Sequence, residues 1–224
     1  MDLNTLNPFN TKTANKIQYA QFLTTGPAGN IECLLSYPLS ETPTNTIAVI
    51  CHPHPLYDGT MHNKVVYTIA KTLNKHNIPT LRFNFRGVER SEGNYAEGLG
   101  EQDDLLTATK LMRSLFPNHT LWLAGFSFGS YIAASMQQKL NAEQLITIAP
   151  AVGSFDFNSI AIPDCPWLLI QGMADEVIEA EKVIEWAKAL NSPPTIQTMD
   201  GTSHFFHGKL VELGKLLEQH LFSE

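Results

Sequence analysis

The sequence is short of basic clusters and of long apolar stretches, and each shortage excludes a class of protein. Its 224 residues carry 15 Lys and Arg against 22 Asp and Glu, a net charge of -7 at pH 7. This charge, without any run of basic residues, argues against a nucleic-acid partner. No apolar run approaches the roughly 18 residues of a membrane span, so we expect no membrane partner either.

Cysteine is also scarce. Cys33, Cys51 and Cys165 are odd in number and widely spaced, so they form neither a disulfide framework nor a zinc signature. Free thiols of this kind are usually buried apolar groups in a reducing compartment. The first residues lack the basic and then apolar pattern of a secretory signal. We therefore expect a cytoplasmic protein.

Internal repeats and linkers are absent, which favours a single domain over residues 1–224. The polar residues 1–15 are expected to form a loosely ordered N-terminal segment. Apolar segments at 17–23 and 30–38 predict two paired strands. From residue 46 onward, apolar runs alternate with helical patterns. This alternation predicts an α/β fold with a mostly parallel, twisted sheet of about eight strands and helices on both faces.

One motif within this pattern indicates chemistry. Residues 123–130 read LAGFSFGS, in which Gly125 and Gly129 each stand two positions from Ser127. A strand pattern precedes the motif and a helical pattern follows it. A strand that turns at once into a helix strains the turning residue and exposes its hydroxyl, while the flanking glycines leave room for the close backbones. We predict that Ser127 is a nucleophile.

Two further reactive residues follow later strands. Asp175 comes after the strand pattern at 166–172, and His204 comes after the pattern at 194–200. Chemistry in an open α/β sheet lies at the carboxyl ends of the strands, so these residues should meet Ser127 there. His204 would accept the serine proton, and Asp175 would hold the imidazole in the useful tautomer.

Other residues compete for these two roles. His207 is the alternative base, but the pattern places it in the last helix, whereas His204 lies in the loop after the last strand. Asp156 follows the preceding strand, and Glu176 is adjacent to Asp175, so each is an alternative acid. We favour His204 and Asp175.

Three histidines raise the question of a metal site. His52, His54 and His62 lie within 11 residues of one another. Pro53 and Pro55 stiffen their loop, and no carboxylate–histidine zinc motif accompanies them. We expect structural roles for these histidines, with no metal and no cofactor.

The chain resembles the α/β-hydrolase superfamily over nearly its whole length. Three stretches are similar to small bacterial hydrolases with little or no cap domain, related to the dienelactone-hydrolase and serine-peptidase-like branches. They are CHPHPLYDGTMHNKVV (51–66), LRFNFRGVERSEG (81–93) and GTSHFFHGKL (201–210). The resemblance implies an α/β-hydrolase fold with the chain order Ser, Asp, His. Asp58 and Glu89 stand where members of this group usually carry glycine-rich residues.

Acyl transfer also needs donors for the oxyanion. One should be the backbone N–H of Phe128, which follows the nucleophile. The other should come from the loop after the strand at 46–52, where Pro53 and Pro55 have no N–H. That leaves His54 and Leu56, and the resemblance to the family's His-Gly-x pattern implies His54.

These residues predict a serine hydrolase that cleaves small-molecule carboxylic esters through an acyl-serine intermediate. Thioesters, small amides or peptides are alternative substrates, and a non-catalytic binding module on the same scaffold is an alternative function. A dienelactone-type hydrolase would use cysteine in place of Ser127. Only about 15 residues separate two strand patterns near residue 157, which excludes a large cap. Phe155 and Phe157 in this segment are either site walls or core residues, and the chain is compatible with a monomer or a homodimer.

Overall fold

The structure is a computed structural model that describes residues 10–14, 16–39 and 44–223. Within these residues it contains nine strands and five α-helices. The strands are β1 (Asn10–Ala14), β2 (Ile17–Gly26), β3 (Gly29–Pro38), β4 (Thr46–Cys51), β5 (Thr80–Phe83), β6 (Thr120–Phe126), β7 (Gln144–Ile148), β8 (Trp167–Gly172) and β9 (Thr195–Met199). The helices are α1 (Lys64–Lys75), α2 (Gly100–Leu115), α3 (Phe128–Met136), α4 (Ala180–Lys188) and α5 (Leu210–Phe222).

All nine strands of the described chain belong to one sheet, in the order β1-β2-β3-β5-β4-β6-β7-β8-β9. The first three strands and β5 pair antiparallel. From β5 to β9 every neighbouring pair is parallel. The predicted mostly parallel sheet with a hairpin at one edge is confirmed, and all carboxyl ends of its parallel part meet at one edge.

Successive residues of the central strands face opposite layers, as the period of two requires. Ile47 and Val49 of β4 pack in the layer that holds α2 and α3, whereas Ala48 and Ile50 pack in the layer that holds α1 and α5. Helix α4 packs against Leu169 of β8. The central strands are therefore buried on both faces, which explains why they read as continuous apolar runs.

Strand β1 is a difference from the sequence-based expectation. Residues 10–14 pair with β2 from Asn10↔Gln21 to Ala14↔Ile17, where a loosely ordered segment was expected. An edge strand has a neighbour on one side only and needs no apolar run, so its polar sequence gave no strand signal. The rest of the predicted segment, residues 1–9 and 15, lies outside the described residues.

The last helix begins later than predicted. Phe206 and Gly208 have φ values of 54° and 71°, which interrupt a helix, so α5 starts at Leu210, after His207 rather than before it. His207 therefore lies in a turn, and the helix was not a valid reason to prefer His204 over it. Among the described helices, none is long and apolar enough to cross a membrane.

Candidate active site

The three predicted reactive residues meet at the carboxyl edge of the sheet. Ser127 follows β6, Asp175 lies beyond β8, and His204 lies beyond β9. The His204 Nε2 atom is 3.1 Å from Ser127 Oγ, and its Nδ1 atom is 2.8 Å from Asp175 Oδ2. The structure thus brings a hydroxyl, an imidazole and a carboxylate into one hydrogen-bonded chain.

Ser127 lies in the sharp turn that the motif predicts. Its φ of 54° and ψ of -117° are unfavourable for a residue with a side chain. The Ser127 N–H donates to Ile148 O at 2.9 Å, which ties the turn to β7. A Cβ atom on Gly125 would collide with the Gly129 carbonyl, and one on Gly129 would collide with the Cys51 carbonyl. Both glycines are therefore required by close backbone packing.

This packing predicts opposite effects for two helical glycines. Gly129→Ala should destabilise the protein by about 3 kcal/mol, because the new methyl group meets backbone atoms that cannot move aside. Gly214→Ala in α5 should stabilise it by about 0.5–1 kcal/mol, because alanine is the better helix former. The nearest atoms to a Cβ on Gly214 are at 3.4 and 3.7 Å, on Thr72 and Thr68. Urea unfolding of both variants measures the difference, and a Gly129→Ala variant as stable as the parent would contradict this account.

Asp175 is held as a carboxylate. Its Oδ1 atom accepts the backbone N–H groups of Val177 at 2.9 Å and Ile178 at 2.8 Å, and its Oδ2 atom accepts Gln171 Nε2 at 3.0 Å. Burial alone would raise the pKa of Asp175, but the hydrogen bonds from His204 and the two backbone amides together lower it. The ionised carboxylate therefore accepts a hydrogen bond from the Nδ1–H group of His204. In the neutral imidazole with this tautomer, Nε2 is the nitrogen that can accept a hydrogen bond from the Ser127 hydroxyl.

The alternative base and acids lie outside this chain of hydrogen bonds. His207 is exposed. Asp156 accepts the Asn158 N–H at 3.2 Å and caps a short 3₁₀ turn. Glu176 accepts the backbone N–H of His204 at 3.1 Å, so its carboxylate positions the histidine loop rather than the imidazole.

The two residues predicted to carry the oxyanion donors, His54 and Phe128, are in side-chain contact. Phe128 is the first residue of α3, so no preceding turn of that helix can pair its N–H. The His54 ring lies 5.1 Å from the Phe128 ring. The Leu56 N–H donates to His54 Nδ1 at 3.2 Å, so the competing donor is engaged. This contact favours His54 over Leu56.

The three loop histidines occupy different environments. His52 is buried, and its Nδ1 donates to Pro53 O at 2.6 Å while its Nε2 accepts the Phe85 N–H at 2.9 Å. Burial lowers the pKa of His52 to about 3, so its ring is neutral. The His62 Nε2 atom lies 3.9 Å from Glu89 Oε2. Within the described residues, no group of three His, Cys, Asp or Glu side chains could hold a metal ion.

Sequence reasoning missed the polar groups that fix the loop between β5 and α2. Arg86 binds Asp104 through its backbone N–H and its guanidinium at 2.8–3.0 Å. Glu101 accepts the N–H groups of Ala96 and Gly98, each at 2.8 Å. Both carboxylates lie in the first turns of α2. The acidic residues at the start of this helix were the available signal, because carboxylates can accept hydrogen bonds from nearby backbone N–H groups.

The chain is similar to several known proteins. It is 33% identical to an uncharacterized protein of Rickettsia prowazekii over 208 residues, which cover 88% of this chain and 87% of that protein. A structure from Xanthomonas campestris, described as a member of the α/β serine hydrolases without a lid, is 39% identical. It covers 94% of this chain and 95% of its own, with a TM-score of 0.87.

A second solved structure is similar to this chain over nearly the same length. An α/β serine hydrolase homologue from Coxiella burnetii is 41% identical and covers 95% of this chain and 100% of its own, also with a TM-score of 0.87. None of the protein-family models compared with the sequence matches it. The connection between β7 and β8, residues 149–166, is short. This agrees with the description of the Xanthomonas campestris structure as a hydrolase without a lid.

Proposed function

Because the chain belongs to the α/β serine hydrolases without a lid, we propose that it hydrolyses carboxylic esters of small molecules through an acyl-serine intermediate. The observation that carries this proposal is the hydrogen-bonded chain from Ser127 through His204 to Asp175. A serine hydroxyl is a weak nucleophile at neutral pH and needs such an adjacent base. The same proposal makes Ser127 the nucleophile, His204 the base and Asp175 the orienting acid.

The reaction follows from the positions of these groups. Ser127 Oγ bonds to the ester carbonyl carbon while His204 Nε2 takes the hydroxyl proton. The backbone N–H groups of Phe128 and His54 would stabilise the carbonyl oxygen as it becomes negative. The carbon–oxygen bond to the alcohol then breaks, and His204 gives its proton to the departing alcohol. A water molecule repeats the steps on the acyl-serine and releases the acid, so the cycle requires no cofactor.

Turnover of a matched ester and amide tests this function. We expect p-nitrophenyl acetate to give a burst of p-nitrophenol that is stoichiometric with enzyme, followed by steady turnover. p-Nitroacetanilide should react at least about a hundredfold more slowly, because the amide carbonyl is less electrophilic and its nitrogen must be protonated by His204 before p-nitroaniline can leave, which needs more transition-state stabilisation. A faster amide would favour the peptidase-like alternative. If there is no burst, no turnover and no labelling by a fluorophosphonate, the chain would be a binding module.

The proposal also covers the domain organisation, the cellular location and the partners of the enzyme. The nine strands of the described residues form one sheet, which supports a single α/β-hydrolase domain. The three cysteines are free, as is usual in a reducing compartment, and this supports a cytoplasmic location. We propose a small-molecule ester as substrate, with no nucleic-acid or membrane partner.

A further inference from the structure

Partly exposed aromatic side chains pack against the rings of His54 and Phe128, the two residues whose backbone N–H groups are the proposed oxyanion donors. The Tyr57 and Tyr95 rings each lie 4.8 Å from the His54 ring. The Phe155 ring lies 5.1 Å from Phe128 and stacks on Tyr131 at 5.0 Å with an interplanar angle of 25°. We call the side chains of Tyr57, Tyr95, Tyr131 and Phe155 the aromatic wall. Phe157, the other candidate wall residue, is buried in the core.

Most of the aromatic wall is held rigidly. Tyr131 is part of α3, and the Phe155 N–H donates to Ala151 O at 3.1 Å. The loop of Tyr95 is fixed by the hydrogen bonds from Ala96 and Gly98 to Glu101. Flat faces that are already in place lose little freedom when another flat group binds to them.

The electrostatics around the wall favour a group without negative charge. None of the four wall residues is an Asp, Glu, Lys or Arg. Burial, followed by the neighbouring Glu101 and Glu97, raises the pKa of Tyr95, so its phenol stays neutral. The same two carboxylates would repel an anionic substituent.

The ring contacts favour the acyl side of the proposed reaction as the place of the wall. The oxyanion donors fix the carbonyl oxygen, and Phe155 and Tyr95 are in ring contact with both donor residues. The leaving alcohol must instead approach His204 Nε2 to receive its proton. The His204 ring contacts Phe126 and Phe205, which are not part of the wall.

We propose that the preferred substrates are esters of uncharged aromatic carboxylic acids, with the acyl ring stacked on the aromatic wall beside Phe155 and Tyr95. This inference rests on the proposed ester hydrolysis. Aromatic rings prefer offset or tilted contacts at centroid distances of about 4.5–7 Å, the range found within the wall. A puckered aliphatic ring of the same size cannot make these contacts.

A pair of esters that differ only in the acyl ring tests the proposal. p-Nitrophenyl phenylacetate and p-nitrophenyl cyclohexylacetate have the same leaving group and ring size. After correction for their rates of hydroxide hydrolysis, we expect kcat/KM to be about tenfold higher for the aromatic ester, the upper range for favourable ring contacts. Phe155→Leu and Tyr95→Leu should each reduce this ratio to about 2 or less, mainly by lowering kcat/KM for the aromatic ester.

Two further variants serve as controls. Tyr95→Phe keeps the ring and should keep the ratio. Tyr67→Leu removes a half-exposed tyrosine of α1 that lies over Arg82, outside the wall, and should also keep the ratio. The rate of fluorophosphonate labelling shows whether each leucine variant still carries an intact nucleophile.

The outcomes separate this inference from the proposed function. Equal kcat/KM values for the two acyl esters would overturn the aromatic preference and leave ester hydrolysis standing. A preference for benzyl acetate over cyclohexylmethyl acetate that Phe155→Leu abolishes would place the wall on the alcohol side and also overturn the proposal. Failure of every ester together with failure of fluorophosphonate labelling would instead reject the proposed function.

Discussion

Ser127→Ala is expected to lower kcat for p-nitrophenyl acetate by roughly 10⁴–10⁶-fold and to abolish fluorophosphonate labelling. Loss of a nucleophile removes the covalent route altogether, and the remaining rate comes from substrate binding and the oxyanion donors alone. Burst kinetics and gel fluorescence after labelling measure the two effects. The fold should persist, because the substitution removes a single oxygen atom.

Ser130 offers a matched control for this variant. It is buried in α3, the helix that follows Ser127, and its hydroxyl donates to Gly125 O at 2.8 Å. Ser130→Ala leaves that carbonyl without this partner and should cost about 1–3 kcal/mol of stability, but it should still be labelled. Labelling that persists in Ser127→Ala and disappears in Ser130→Ala would overturn the assignment.

His204→Ala should lower kcat by roughly 10⁴-fold or more, because neither the serine nor the leaving alcohol then has a proton-transfer partner. His207→Ala should change kcat less than about threefold. His207 is exposed, and its one ring contact within the described part of the chain is with Phe205 at 5.9 Å. Steady-state kinetics of the two variants with one ester distinguish them. The reverse order of effects would show that the hydrogen bond between His204 and Ser127 is not the catalytic one.

The sequence predicted the parts of the fold that follow from burial. Strands covered on both faces read as apolar runs, so β4 to β8 could be placed within a few residues. Strand β1 could not be predicted because a polar edge strand has no such requirement. The start of α5 was misplaced because the positive φ of Phe206 has no signal in a non-glycine residue.

The candidate site, like the fold, could be predicted only in part from the sequence. Ser127, Asp175 and His204 each follow a strand, so the topology alone predicts that they meet. Tyr95 and Phe155 lie in loops without periodicity, and their positions depend on long-range contacts such as the bonds to Glu101.

Backbone geometry explains why members of the similar family usually carry glycine-rich residues where this chain has Asp58 and Glu89. Asp58 and Glu89 have φ values of 56° and 48°, in the left-handed region that glycine adopts without strain. The glycine-rich residues of the family at these positions therefore fit the backbone. A single sequence does not show that Asp58 and Glu89 have a positive φ, so this could not be predicted. Glu89 Oε2 accepts Asn84 Nδ2 at 2.7 Å, which gives its side chain a structural role.

Mapping the acyl adduct tests the central claim most directly. The enzyme is mixed with a p-nitrophenyl ester at neutral pH, quenched in acid within the burst phase, digested and sequenced by mass spectrometry. We expect one acyl group per chain, attached to Ser127 in the peptide that contains LAGFSFGS. Steady ester turnover with the adduct on another residue, or with no adduct at any time in the burst, would contradict hydrolysis through an acyl-Ser127 intermediate.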